Sequence, residues 1–502
     1  MKPPLAPHAI RELWPAEPDK TERWSRSLWF DRFADPRLTD DRNASPRRDF
    51  MEHGMKLKPV PGRSRSWLRF LRIELAVPLQ ELLFAQLQSR LLVNASGCVM
   101  ENAGLALDRL TGQPFIPGSA VKGCARRMAL QTLHDSASGW TPPANGVESE
   151  SEHAARVREC ALLLAVIASA FGWSELEWTC RDDFKPQYEE GETDADYQKR
   201  WDAAWRAYRS DFAWACGDDL WEEVRVGAGK VLAQRFSSAA LGDGLFWEGF
   251  PASVGSVQFL PSYPVEVKLS GPLPTPDGVG KLELDLLAAH HRRYHEGDPD
   301  FAEAPDTEDP NLVFFPAVAA GHVFVFAVKG RSRDLPLVEA ARSWLMKGLE
   351  LFGLGAKTAA GYGWFLDVSQ AVSKMLVLEE KLAPWRGRLA GFAGLTEPDK
   401  EAECLSLLSE PDVWKSLEQE KGSRPMKRYF DDRAQVMNPP SLALLMRATT
   451  FQFLPQDQQE ELALDLSINH LAFLRDVCRH FPHSLAALQE YLQANGLWPN
   501  EP

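Results

Sequence analysis

The apolar positions of this chain change period several times. Over residues 67–77 they alternate, with Trp67, Arg69, Leu71, Ile73, Leu75 and Val77 on one face and Leu68, Phe70, Arg72 and Glu74 on the other. A period of two predicts a strand, which Pro78 ends. A mixed stretch follows. A turn at Thr111-Gly112 then leads into Phe115-Ile116-Pro117-Gly118-Ser119, where Ser119 is the expected N-cap. Ala120, Val121, Cys124, Ala125, Met128 and Ala129 then carry an amphipathic helix. Between about 133 and 245 the pattern is mostly helical and rich in tryptophan. Trp201, Trp205 and Tyr208 fall at i, i+4 and i+7, which predicts a shared core face rather than a base-stacking platform. Strand-like runs return at 253–260, 281–287, 313–318 and 322–328, broken by Gly and Pro. A helix from Leu335 to about Phe352 delivers a glycine cluster, and 362–368 reads as the strand after it. Beyond Ser369 the pattern loses strand alternation, and Leu464, Ile468, Leu471, Leu474 and Cys478 mark a helix.

Strands interspersed with two helices predict an α+β sandwich rather than a barrel. The expected organisation is an irregular basic arm over 1–65, a domain over 66–368 with a helical acidic insertion at about 133–245, and a helical extension over 369–502. A chain of 502 residues with 44% hydrophobic and 10% aromatic content supports a substantial core. The start of the chain leads into no apolar run and the longest run, 161–173, is too short to span a bilayer, so a cytoplasmic protein with no membrane partner is expected. Seven scattered cysteines with no CxxC pair argue against a disulfide framework and against a cysteine zinc site.

A formal net charge of −14 counts against nucleic acid only if the charge is evenly spread. It is not. Roughly ten net negative charges fall between Thr141 and Arg225. By contrast Lys56, Lys58, Arg63, Arg65, Arg69 and Arg72 come with no acidic residue until Glu74. The basic stretch can track a phosphate backbone, and the acidic ones can be solvated faces or contacts to basic proteins.

Two segments carry candidate chemistry. Residues 353–363 read Gly-Leu-Gly-Ala-Lys-Thr-Ala-Ala-Gly-Tyr-Gly. Glycine is favoured where φ must be positive or a side chain would block a close approach. Successive amide N–H groups in such a turn form an anion-binding concavity, to which Lys357 adds charge and Thr358 a hydroxyl. A P-loop is excluded because Ala356 and Leu351 stand where glycines are required. A dinucleotide fingerprint fails at Thr358. A polyanion backbone and a plain glycine-rich turn both remain. The second segment runs from Gly104 through Asp108-Arg109 to Pro117-Gly118-Ser119-Ala-Val-Lys122-Gly123-Cys-Ala-Arg126. There a Pro-Gly turn opens a helix whose free N–H groups and dipole favour phosphate, with Lys122 and Arg126 four apart on one face.

With both segments in this order, the chain resembles the RAMP superfamily of CRISPR-associated RNA-binding proteins. The Ile-Pro-Gly-Ser-x-(apolar)-Lys-Gly-x-x-Arg segment is similar to its first-helix signature, and residues 353–363 to its C-terminal glycine-rich loop. Within it, residues 285–294, Phe314-Phe315-Pro316, residues 321–326, Phe171-Gly172 and Tyr263-Pro264 look most like the sixth, 3′-end capping subunit of Cmr-type (type III-B) effector complexes. The resemblance covers about residues 66–368. It implies an RRM-like (ferredoxin-like) fold that binds guide RNA through its backbone without cutting it, in antiviral defence. It implies other RAMP subunits as partners, target RNA indirectly, and no cofactor. Arg109, Gly118, Ser119, Lys122, Arg126, Gly353, Gly355, Lys357, Thr358, Gly361 and Tyr362 would then form the RNA site, with Gly118, Gly355 and Gly361 permitting close approach. No catalytic or metal residue is assigned.

The alternative is a RAMP endoribonuclease. His290, His291 and His295 are the candidate bases, and His291 and His295 sit at metal-chelating spacing. No third ligand, HExxH pattern or GxSxG elbow accompanies them. Asp108 and Asp285 are the candidate aspartates for slicing, although nothing in their spacing singles them out.

Overall fold

The computed structural model describes residues 25–32, 44–97, 104–139, 150–235, 252–269, 273–289, 294, 297, 311–331, 335–417, 429 and 439–498. His290, His291 and His295 lie outside them. Contacts divide the chain into two compact units, Met1–Ser369 and Gln370–Pro502.

Among the described residues of the first unit, helices α1 (Arg26–Arg32), α2 (Ala44–Lys56) and α3 (Arg63–Arg69) precede the first strand. Within the stretch expected to be irregular, these segments are therefore helical. Trp29 stacks on Phe50 at 4.9 Å between centroids, and both rings are buried in the main core. The expected strand at 67–77 is also replaced: α3 runs into a π-helical turn, Phe70–Glu74. Trp67 and Leu71, four apart, are the buried pair there. Their spacing satisfies a helical period as well as an alternating one, and packing against Tyr263 settles it at a 5.1 Å ring separation.

The strand that enters the sheet is instead β1, Leu83–Leu87, within the stretch that reads as mixed. It is nearly all buried and so shows no alternation. Its one polar residue, Gln86, is buried and donates to the carbonyls of Leu273 and Gly321. Helices α4 (Gly118–Ser138) and α5 (Glu150–Phe171) follow, then strand β2 (Gly172–Trp173). Next come helices α6 (Asp194–Tyr208), α7 (Asp211–Cys216) and α8 (Trp221–Arg235). Of the aromatic set on α6, Trp205 is buried, while Tyr208 is exposed and stacks on Phe184.

Short strands β3 (Ser253–Val254), β4 (Val257–Phe259) and β5 (Tyr263–Val265) lead to a long hairpin, β6 (Leu282–Ala289) with β7 (Asn311–Val318). Strands β8 (Val323–Phe326) and β9 (Val328–Gly330), helix α9 (Leu335–Leu351) and strand β10 (Phe365–Asp367) complete the unit. The main sheet is antiparallel in the order β10-β1-β8-β5. Counting only its own strands along the chain, the order is fourth, first, third, second, with α4 between the first two and α9 between the last two. This is an α+β architecture with an antiparallel sheet.

The described elements of the second unit are helical, from Ser369–Gly391 to Ala486–Ala494. They enclose their own core, which includes Trp385, Phe451, Leu466, Leu474 and Phe481. Buried Glu401 accepts from the backbone N–H groups of His483 and Ser484, closing the turn before the last helix.

Candidate nucleic-acid interface

The two candidate segments meet through the packing of α4 on α9. Gly348 of α9 lies so near α4 that a Cβ there would come within 2.9 Å of the Cys124 carbonyl. The Cys124 thiol approaches the Gly353 carbonyl at 3.7 Å, and the Arg127 guanidinium lies 4.3 Å from the Phe352 ring centroid. The first two turns of α4 therefore abut the start of the glycine loop.

The helix start is anchored before it can bind anything. Ile116 bridges Ser262 beside β5, and a Cβ on Gly118 would meet the Phe259 carbonyl at 2.4 Å. The helix begins at Gly118 with Pro117 as N-cap and no side-chain cap, so Ser119 lies in the first turn rather than capping it. Pro117 suits that position because no intrahelical hydrogen bond calls on the N–H it lacks. Ser119 and Arg109 are exposed. Asp108 organises the preceding loop: one carboxylate oxygen accepts from the Leu110 and Thr111 amides and the Thr111 hydroxyl, the other from the Tyr263 hydroxyl. Burial opposes its charge, yet the Thr111 and Tyr263 hydrogen bonds and nearby Arg63 hold it below the usual carboxylate range.

Lys122 and Arg126 differ in role despite sharing a face. Arg126 is taken up by two carboxylates, Glu177 and Asp211, and covers the Phe212 ring. It fastens the acidic segment to α4. Lys122 is half-buried and is held below the ordinary lysine value, chiefly by burial, then by Arg126 and Arg331, with Glu177 pulling the other way. A desolvated ammonium among other cations gains from an arriving anion. Arg331 carries no signal in the sequence, since it becomes Lys122's neighbour only through the fold.

The glycine loop is folded on itself and against the hairpin. Gly353, Gly355, Gly361 and Gly363 all have positive φ, and Lys357 adopts the left-handed region at φ 60°. A Cβ on Gly355 would meet the Leu92 carbonyl at 2.3 Å, and one on Gly363 the Leu354 carbonyl at 1.9 Å. Close approach at Gly118 and Gly355 is thus to the protein's own backbone. At Gly361, by contrast, the space is open. Thr358 offers its carbonyl to the Trp364 indole N–H. The Lys357 ammonium sits 4.3 Å from the Phe315 ring centroid, held below its ordinary value by burial, with Asp285 opposing. Tyr362 donates to Asp285, and its hydroxyl is pushed up to about 12 by burial and by that carboxylate. Asp285 also accepts from Arg90, which pairs with Glu283 too. Both candidate slicing aspartates are therefore engaged in structural hydrogen bonds. Among the described residues no cluster of three metal-ligating side chains occurs, and no helix is long and apolar enough to cross a membrane.

The RAMP superfamily model matches residues 99–366, more than half of the chain. The chain belongs to the RAMP superfamily. A Pyrococcus furiosus protein described as CRISPR system Cmr subunit Cmr6 is 37% identical over 87 residues, 17% of this chain and 25% of that protein. The matched stretch is thus a quarter of the relative's length. The crystal structure of Cmr6 from Pyrococcus furiosus aligns at 19% identity and TM-score 0.24, covering 57% of this chain and 97% of that one. A cryo-EM structure of the type III-B Cmr-beta bound to cognate target RNA aligns at 14% identity and TM-score 0.33, covering 65% of this chain and 73% of that one. Neither score is high enough to carry a residue from those structures onto this RAMP protein.

Proposed function

We propose that this RAMP protein is an RNA-binding subunit of a type III-B CRISPR effector ribonucleoprotein. It holds guide RNA by the backbone near the 3′ end, packs on neighbouring RAMP subunits and does not cut the RNA. The observation that carries the reading is the 37% identity to a Cmr6 subunit, within a chain that matches the RAMP model. The strand order of the main sheet supports an RRM-like, split βαβ domain. Its RNA site comprises Lys122 and Arg331 beside the α4 start, Arg109 and Ser119 on the approach to it, and Lys357, Thr358 and the open turn at Gly361. Arg126 and Tyr362 shape this surface from behind, through their carboxylate partners.

Contacts of this kind position RNA without reading its sequence, and each phosphate neutralised releases counterions. Lys122→Ala and Lys357→Ala should each weaken binding of unrelated RNAs about equally and flatten the log–log salt dependence by roughly 0.7. Filter binding across a salt series measures this. A loss confined to one RNA sequence would remove the backbone role. Incubation with labelled repeat RNA tests the rest: specific cleavage abolished by His290→Ala or His291→Ala would replace this reading with an endoribonuclease.

A further inference from the structure

A second cationic site, lined by neither Lys122 nor the glycine loop, surrounds Arg26. Arg26, at the start of α1, is only 2% exposed, yet no carboxylate pairs with it among the described residues. Its side chain donates to the Gly280 carbonyl, and its Nε has no hydrogen-bond partner. A buried, unpaired guanidinium is costly, and the cost is removed by an anion that fits its planar fork. Arg26 lines an open cavity of about 450 Å³, one wall of which is the turn at 277–281. Two other buried side chains on the same cavity are also unsatisfied: Gln113, 3% exposed, through Oε1, and Ser64, 5% exposed, through its hydroxyl.

The remaining walls narrow the ligand class. Met55, Leu57 and Pro59 give the cavity an apolar side, and exposed Lys56, Lys58 and Lys281 form its rim. Two acids also line it, but Glu266 is paired with Arg65, leaving Asp277 against four cations. The charge is thus opposite to that of the chain as a whole. The turn is held rigid from below, since His322 Nε2 accepts from the amides of both Gly280 and Lys281. The cavity lining combines a buried cation, an unpaired acceptor that needs an N–H or O–H donor, and an apolar wall.

We propose that this cavity binds a nucleoside monophosphate. The phosphate sits on Arg26 and the lysine rim, the sugar and base face the apolar wall, and an N–H of the base reaches Gln113. The proposal does not rest on the RNA groove: of the lining residues only Gln113 falls within the two RNA segments, and it is not among the residues assigned to RNA.

Calorimetric titration of the full chain at low salt with each of the four common nucleoside monophosphates, and with inorganic phosphate, is the test. At least one nucleotide should bind at least tenfold more tightly than phosphate. Lys56→Ala/Lys58→Ala, altered only at exposed positions, should weaken it severalfold, and Arg26→Gln and Gln113→Leu tenfold or more. Lys122→Ala and Lys357→Ala should leave it unchanged. Failure of all four nucleotides to bind, or equal affinity in wild type and in the double lysine variant, would overturn the proposal. So would phosphate binding as well as any nucleotide. A short RNA with a 3′-phosphate separates the sources: competition with the bound nucleotide assigns the site to an RNA end, and its absence to a free nucleotide.

Discussion

His322 shows how one side chain sets a pH limit on this fold. It is 3% exposed, and its Nε2 must be unprotonated to accept from Gly280 and Lys281, while Nδ1 donates to the Ala319 carbonyl. Burial pushes it down to about 4, with Arg26 adding to the effect. The unfolded chain therefore binds a proton more readily than the folded one. Its contribution is fully present above about pH 6.5 and is lost progressively between there and about pH 4, a swing on the order of 3 kcal/mol. Urea midpoints across pH 4–7.5 should fall accordingly, and His322→Gln should flatten that part of the curve. The glycines differ in the same individual way. Gly363→Ala should cost about 3 kcal/mol or more, because a left-handed φ and a carbonyl at 1.9 Å both oppose a Cβ. Gly361→Ala meets open space and should cost only about 1 kcal/mol from φ alone. Thermal unfolding of the pair would show the order, and equal losses would contradict the geometry.

At the scale of elements, α4 is the hub. Its N-terminus is fixed to β4 and β5, its Cys124 side to α9, and its Arg126 to the acidic segment through Glu177 and Asp211. Arg126→Ala should therefore lower stability by about 1 kcal/mol, a value reduced by the partial exposure of the pairs. It should leave the salt slope of RNA binding intact, where Lys122→Ala flattens it. A flattened slope for Arg126→Ala would instead mean a direct phosphate contact. The helical pairing of Trp67 with Leu71 and the buried strand at Leu83–Leu87 belong to this scale too. Alternation marks a strand with one wet face. It is missing from a strand buried on both faces, and it can arise by coincidence in a helix whose arginines snorkel.

The whole molecule comprises two units with separate cores, and a chain beginning at Gln370 retains the second core complete among the described residues. That fragment should fold alone, with helical circular dichroism and a single cooperative melt; a non-cooperative melt would show dependence on the first unit. The helix start at residues 117–126, the glycine loop at 353–363 and the α9 helix before it were legible in the sequence, because their signals are local: Pro and Gly dihedral needs, and a 3.6-residue period. What tertiary structure alone decided is which charges are free. Lys122 and Arg126 are equivalent on a helical wheel, yet carboxylates from remote helices neutralise one, while burial, Arg126 and Arg331 hold the other below its ordinary value. Likewise, the absent side chains at Gly118 and Gly355 leave room for the carbonyls of Phe259 and Leu92, neighbours that only the fold brings there. Sequence determines the local conformations a residue can take; which groups finally face each other depends on long-range packing that no local period encodes.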